Sequence, residues 1–230
     1  MNRIMPVRLR GARLGATLDP MTNALSPLID ARVRAAVETV YRQFAVPVPP
    51  VIEGCPCCIA TRGVDVLLTT PLRALTGAAL WRYVSGVFYT VGSERDFRYF
   101  LPRILDVAIN DPGDINNIEI VLGKLRPANL HSWSADERAA IEALVEAWFD
   151  RALADDLTEA AEGWVGWETE SVLCGAARAG LPLTRLLARL QEPDAAPVLA
   201  DLRERSPDGL SAFWEDVPAE LSALSALLAR

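Results

Sequence analysis

The chain has little of what catalytic sites are usually built from. It holds a single histidine, His131, and four cysteines, three of them within residues 55–58 and the fourth at Cys174. A hydroxyl- or thiol-based triad would have to use His131, which sits in "ANLHSW" and reads as a polar loop residue packed on Trp133. No glycine-rich phosphate loop, H-E-x-x-H pair or dinucleotide fingerprint occurs, so nucleotide chemistry and zinc-protease chemistry lack local support. Four cysteines do not make the framework of a small secreted scaffold, and a reducing cytoplasm is the expected compartment. Basic charge is short as well. The 23 Lys and Arg against 30 Asp and Glu leave a net charge of −7, whereas nucleic-acid binding needs a surplus of cations to replace phosphate counterions.

An uninterrupted apolar run is missing too. The best window, "LTGAALWRYVSGVFYTVG" at residues 75–92, contains Arg82. A spanning helix needs about 20 mostly apolar residues, and a central Arg costs about 2.5–3.5 kcal/mol on insertion scales. The window reads as a buried helix, and no membrane partner is expected. The start, "MNRIMPVRLRGARLG", has no apolar core behind its arginines, so it is not a secretory signal. It resembles a transit peptide, or a leader ahead of a start at Met5 or Met21. Residues 1–22 are expected to form a poorly ordered, solvated arm.

What the chain has is helical periodicity. Aromatic residues make up 7% of it, strand alternation is nearly absent, and Ala, Leu and Arg are abundant, which favours helix over sheet. Ser26 and Pro27 suit the start of a first helix, with Ile29, Val33, Ala36, Val37, Val40 and Phe44 on one face. "VPVPP" at residues 46–50 ends it. A short helix is expected over 62–69 and a longer one over 77–91. Ser93 then caps a helix with Glu94 and Asp96 in its first turn, and Pro102 is expected to kink or break it. Asp114 is expected to cap a helix to about Leu125. "SADE" at 134–137 is a capping box opening a helix with Ile141, Leu144, Val145, Trp148 and Ala152 on one side. Shorter helices follow near 167–179, 182–191, 195–204 and 218–229. The expected fold is all-α, an irregular multi-helix array or bundle with solenoid-like helix pairs. Residues 23–230 form a single domain, with a weak sub-boundary near 155–165.

Three features carry candidate chemistry. In "GCPCC" the spacing of Cys55 and Cys58 suits two neighbouring corners of a tetrahedral zinc site, which Cys174 and His131 would have to complete. A thioredoxin-like reading lacks the strand before the motif, and a turn packing small buried thiols explains the same residues without a metal or other cofactor. "NDPGDINNIE" gathers Asp111, Asp114, Asn116, Asn117 and Glu119, yet its spacing is not that of a calcium-binding loop, and turn and cap duties account for it. "EGWVGWETE" places Trp164 and Trp167 between acids. Exposed, they would be partner-binding anchors; packed on the preceding helix they would be ordinary core, the reading the spacing favours.

The segments "GCPCC", "YTVGSERDFRYFLPRIL" and "WSADERAAIEALVEAWF" resemble those of an uncharacterised bacterial group of all-helical hypothetical proteins. The resemblance covers roughly residues 38–155, most specifically 89–105. It implies an all-helical bacterial protein and carries no activity, cofactor or site residue.

Acidic balance, helical array and missing catalytic motifs together point to a non-enzymatic cytoplasmic protein that holds a protein partner on an acidic face. A bacterial immunity or antitoxin-type protein binding a toxin is one concrete form. The alternative is a zinc- or thiol-dependent, redox-sensing protein centred on the cysteine turn. An enzyme using carboxylates such as Asp96 or Glu168 would need a pairing that only the fold reveals.

Overall fold

A computed structural model of the protein describes residues 20–59 and 63–229; of residues 20–25 and of Cys58 only the backbone is described. The described chain is all-α. Its helices are α1 (Pro20–Gln43), α2 (Pro56–Ile59), α3 (Val64–Thr69), α4 (Gly77–Gly86), α5 (Glu94–Asn110), α6 (Ile118–Gly123), α7 (Ala135–Ala161), α8 (Glu168–Ala179), α9 (Thr184–Leu190), α10 (Ala196–Arg205) and α11 (Pro218–Leu228), joined in part by short 3-10 turns. The arm expected over residues 1–22 lies outside the described residues up to residue 19, and residues 20–22 already belong to α1. Among the described residues no helix is long and apolar enough to cross a membrane.

α7 organises the array. Its capping box forms as the sequence predicts, with Ser134 Oγ accepting from Glu137 N (3.2 Å) and Glu137 Oε2 accepting from Ser134 N (2.9 Å). Behind that cap Ile141, Leu144, Val145, Trp148, Phe149, Ala152 and Leu153 are buried, and α7 packs against α1, α8 and α10 while α6 packs on α8. The buried face of α1 carries Val33, Val37, Val40 and Tyr41, with Phe44 buried just past its end, whereas Ile29 and Ala36 of the expected stripe are only partly buried.

Several expected boundaries move, each for a local reason. α1 starts at Pro20, so Ser26 and Pro27 lie within it rather than at its start. Pro27 is exposed inside this helix. α5 continues through Pro102 without a break. The ring costs about 3 kcal/mol in a helix interior, but Phe97, Phe100, Leu101, Ile104 and Leu105 around it are buried at about 1.5–3 kcal/mol each, and burial wins. α4 ends at Gly86, not near 91: Phe88 takes a positive φ of 69° and residues 87–91 fold into a tight turn. Asp114 does not cap α6; it ends a 3-10 turn, and α6 begins four residues later at Ile118, behind Asn117. Ser93 and Asp96 behave as expected, Asp96 Oδ2 accepting from Ser93 N (2.9 Å) and Oγ (3.1 Å).

Candidate functional site

The corner between α7 and α8 brings two half-exposed tryptophans together with several carboxylates. Trp167 stands at the N-terminal end of α8 and offers no side-chain cap, so the first N–H groups of that helix need another acceptor. Asp156 of α7 supplies it. Its carboxylate, 1% exposed, accepts from Thr169 N at 2.8 Å and Glu168 N at 3.4 Å. Burial raises the Asp156 pKa, against the lowering effect of those hydrogen bonds.

The turn between the helices turns both indoles outward. Gly163 adopts a φ of 99°, a conformation that side chains rarely tolerate. Val165 packs against the core and Gly166 is buried. A Cβ at Gly166 would run into Asp156 Oδ1 and Glu159 Oε2, so only glycine lets the backbone lie on those carboxylates. With residues 165 and 166 turned inward, Trp164 and Trp167 on either side are each 47% exposed. The core packing expected for them is therefore only half realised. Trp167 is held from beneath: the Arg205 guanidinium lies 5.5 Å from its ring centroid. That guanidinium is fixed by Asp201 (2.7 Å) and the buried carboxylate of Glu170.

Acids rim the pair. Asp155, Glu162 and Glu168 are exposed and Glu159 is half-buried. Burial, then the negative charges of Asp156, Glu168, Asp155 and Glu162, push the Glu159 pKa up to about 7. The folded value lies above the ordinary 4.5, so ionising Glu159 costs stability. The penalty is absent well below pH 4.5, grows as pH rises toward 7 and is complete above it. Glu159→Gln is expected to raise Tm at pH 8.5 by a few degrees, about 1 kcal/mol once solvent screening of this half-exposed group is allowed for. At pH 5.5 the gain shrinks to less than half. Thermal melts at the two pH values decide it, and an equal gain at both would show that ionisation is not the cause.

The cysteine turn lies elsewhere. Cys55 N donates to Thr90 O (2.9 Å) and Gly92 N to Glu53 O (2.7 Å), with an antiparallel bridge between Gly54 and Val91. Cys55 and Cys57 are exposed, their Sγ atoms 2.8 Å apart, so these two thiols are not the buried ones the sequence suggests. The side chain of Cys58 lies outside the described residues. Cys174 is 0% exposed in α8, its pKa pushed up to about 12 by burial and then by the charges of Glu119 and Glu170. His131 is exposed in the 3-10 turn before α7, and the indole of Trp133 packs on Phe44 and Arg98. Neither Cys174 nor His131 joins Cys55 and Cys57, because among the described residues no group of three potential ligands could hold a metal.

Of the "NDPGDINNIE" residues, Asp114 and Asn116 line a surface cavity of about 250 Å³ with Ala78, Trp81 and Ile115. Asn116 Nδ2 donates to Ser85 Oγ (2.7 Å), and buried Glu119 accepts from Ser211 Oγ (3.1 Å). Asp96 serves its own helix start and Glu168 opens α8. Sequence reading missed Asp156 as a remote cap and Arg205 as the support of Trp167, because no local pattern ties residues 13 or 38 positions apart. Compared with protein-family models, with curated proteins and with solved structures, the chain matches none.

Proposed function

We propose that this protein is a non-enzymatic binding module that holds a basic protein segment on the tryptophan pair of the α7–α8 corner. The observation that carries the reading is the half-exposure of Trp164 and Trp167 at a corner that also holds the carboxylate cluster around Glu159. Trp is among the residues enriched at interface hot spots, where truncation to Ala costs about 2 kcal/mol or more. A cationic side chain laid over an indole gains cation–π attraction and, beside these acids, charge-assisted hydrogen bonds. Arg205 holds Trp167 in place before any partner arrives, which lowers the ordering cost of binding. The surplus of acid over the whole chain speeds encounter with a basic partner. A cytoplasmic immunity or antitoxin-type role against a basic toxin is the concrete form this chemistry suits.

The probe is an arginine-rich peptide, with a length-matched glutamate-rich peptide as control, titrated into 15N-labelled full-length protein. The indole N–H signals of Trp164 and Trp167, assigned through single Trp→Phe variants, are expected to shift. Those of Trp133 and Trp214, whose Nε1 atoms bond internally, stay put. Replacing both exposed tryptophans by Ala weakens binding about tenfold or more, and raising salt weakens it further. A basic partner favours ionised Glu159, so affinity rises between pH 6 and pH 8. Unmoved Trp164 and Trp167 signals, or equal binding of the acidic peptide, would sink the reading.

A further inference from the structure

The proposed binding corner leaves the cysteine turn without a role. We propose that Cys55 and Cys57 form a reversible C-x-C disulfide, which makes this turn a thiol–disulfide site. Three observations meet there. The two Sγ atoms are already 2.8 Å apart, and closure to a bond of about 2.05 Å asks for less than an ångström of movement. Two thiolates on one zinc, by contrast, stand about 3.8 Å apart at ordinary Zn–S lengths, so that geometry requires the pair to separate. Both residues are exposed, so a water-borne oxidant reaches them, whereas Cys174 is sealed in the core with a thiol that burial keeps protonated.

The backbone is held for the reaction. Thr90 and Val91 brace the turn on one side through Cys55 N and the Gly54 bridge, and Ile59 N bonds Cys55 O across α2 on the other. A Cβ at Gly54 would come within 2.9 Å of Thr90 O, so glycine is what lets the two turns approach so closely. Pro56 between the thiols restricts its own φ, which removes freedom that closure would otherwise cost.

The co-reactant is a low-molecular-weight disulfide. One thiolate of the pair attacks it, forming a mixed disulfide and expelling one small thiolate, which takes up a proton. The second protein thiolate then attacks the protein sulfur of the mixed disulfide, forming the Cys55–Cys57 bond and expelling the second small thiolate. The pair loses two electrons and two protons, and the small disulfide is reduced to two thiols.

Oxidised glutathione in excess is added to the native full-length chain, remaining thiols are blocked with iodoacetamide, and the peptide spanning residues 43–62 is fragmented in a mass spectrometer. The expected product has lost about 2 Da, the two hydrogens of a new disulfide, and carries the alkylation mark on Cys58 alone. It is abolished in Cys55→Ser and Cys57→Ser, persists in Cys58→Ser and Cys174→Ser, and reverts with excess reduced glutathione. A link through Cys58 instead, or mixed disulfides that never close, would overturn the proposal. Circular dichroism of each variant confirms that its helix content is unchanged.

Discussion

Glu170→Ala is expected to lower stability by about 4 kcal/mol, the largest loss foreseen for any polar residue of this protein. Glu170 is 3% exposed at the start of α8, and its carboxylate joins three residues from two later parts of the chain. Oε1 accepts from Ser211 N at 2.6 Å and from Trp214 Nε1 at 3.2 Å, while Oε2 pairs with Arg205 of α10. Removing one partner of a buried ion pair costs about 3–5 kcal/mol because the remaining charge keeps its desolvation penalty, and the buried Trp214 indole and the half-buried Ser211 N–H lose their acceptor as well. Arg205 keeps Asp201 at 2.7 Å, which places the loss inside that range rather than above it. In a domain of this size the change corresponds to roughly 10 °C in Tm. Glu170→Gln, which keeps an acceptor for Trp214 and Ser211, should lose about half as much. Because Arg205 also supports Trp167, the Ala variant should bind an arginine-rich peptide more weakly at temperatures where it is still folded. A Tm within 2 °C of the parent protein would refute the account of this network.

The second large effect is expected at the opposite end of α7. Trp133 is 3% exposed and closes the joint of α1, α5 and α7. Its ring meets Phe44, just past the end of α1, edge-on at 5.2 Å, the Arg98 guanidinium of α5 lies 5.0 Å from its centroid, and Nε1 donates to Glu94 Oε1 (3.0 Å) and Ala128 O (3.1 Å). Arg98 in turn pairs with Glu137, the carboxylate of the α7 capping box. Trp133→Ala removes the largest side chain at this joint and is expected to cost about 3–5 kcal/mol. Trp133→Phe keeps the ring contacts and gives up only the indole donor, about 1 kcal/mol. Chemical denaturation of both variants measures the two losses, and similar values for Phe and Ala would mean that the hydrogen bonds, not the packing, hold the joint.

What could be read in advance follows from interaction range. The Ser134–Glu137 box, the Ser93–Asp96 start and the four helices after residue 167 each depend on residues three or four positions apart, and all of them appear where the pattern places them. The misses are of another kind. Pro27 lies within α1 rather than at its start, and Pro102 is a local breaker whose cost is outweighed by the five buried side chains around it. Asp114 looks like a cap on composition, but α6 begins only beyond it.

By itself the sequence determined the helical class, the capped starts at Ser93 and Ser134, the acidic balance and the presence of two tryptophans and three thiols at short spacing, because these depend on composition and on contacts within a turn or two. Tertiary structure alone decided how those residues are used. Asp156 caps a helix that starts 12 residues after it, and Arg205 reaches Trp167 from another helix. Gly166 lies so close to two carboxylates that its tryptophan neighbours face water, and Cys55 is aimed at Cys57 by a turn pinned to residues 90–92. The physical reason is that exposure, crowding and pKa shifts depend on which surfaces the packed helices cover, and no window of the chain contains that information.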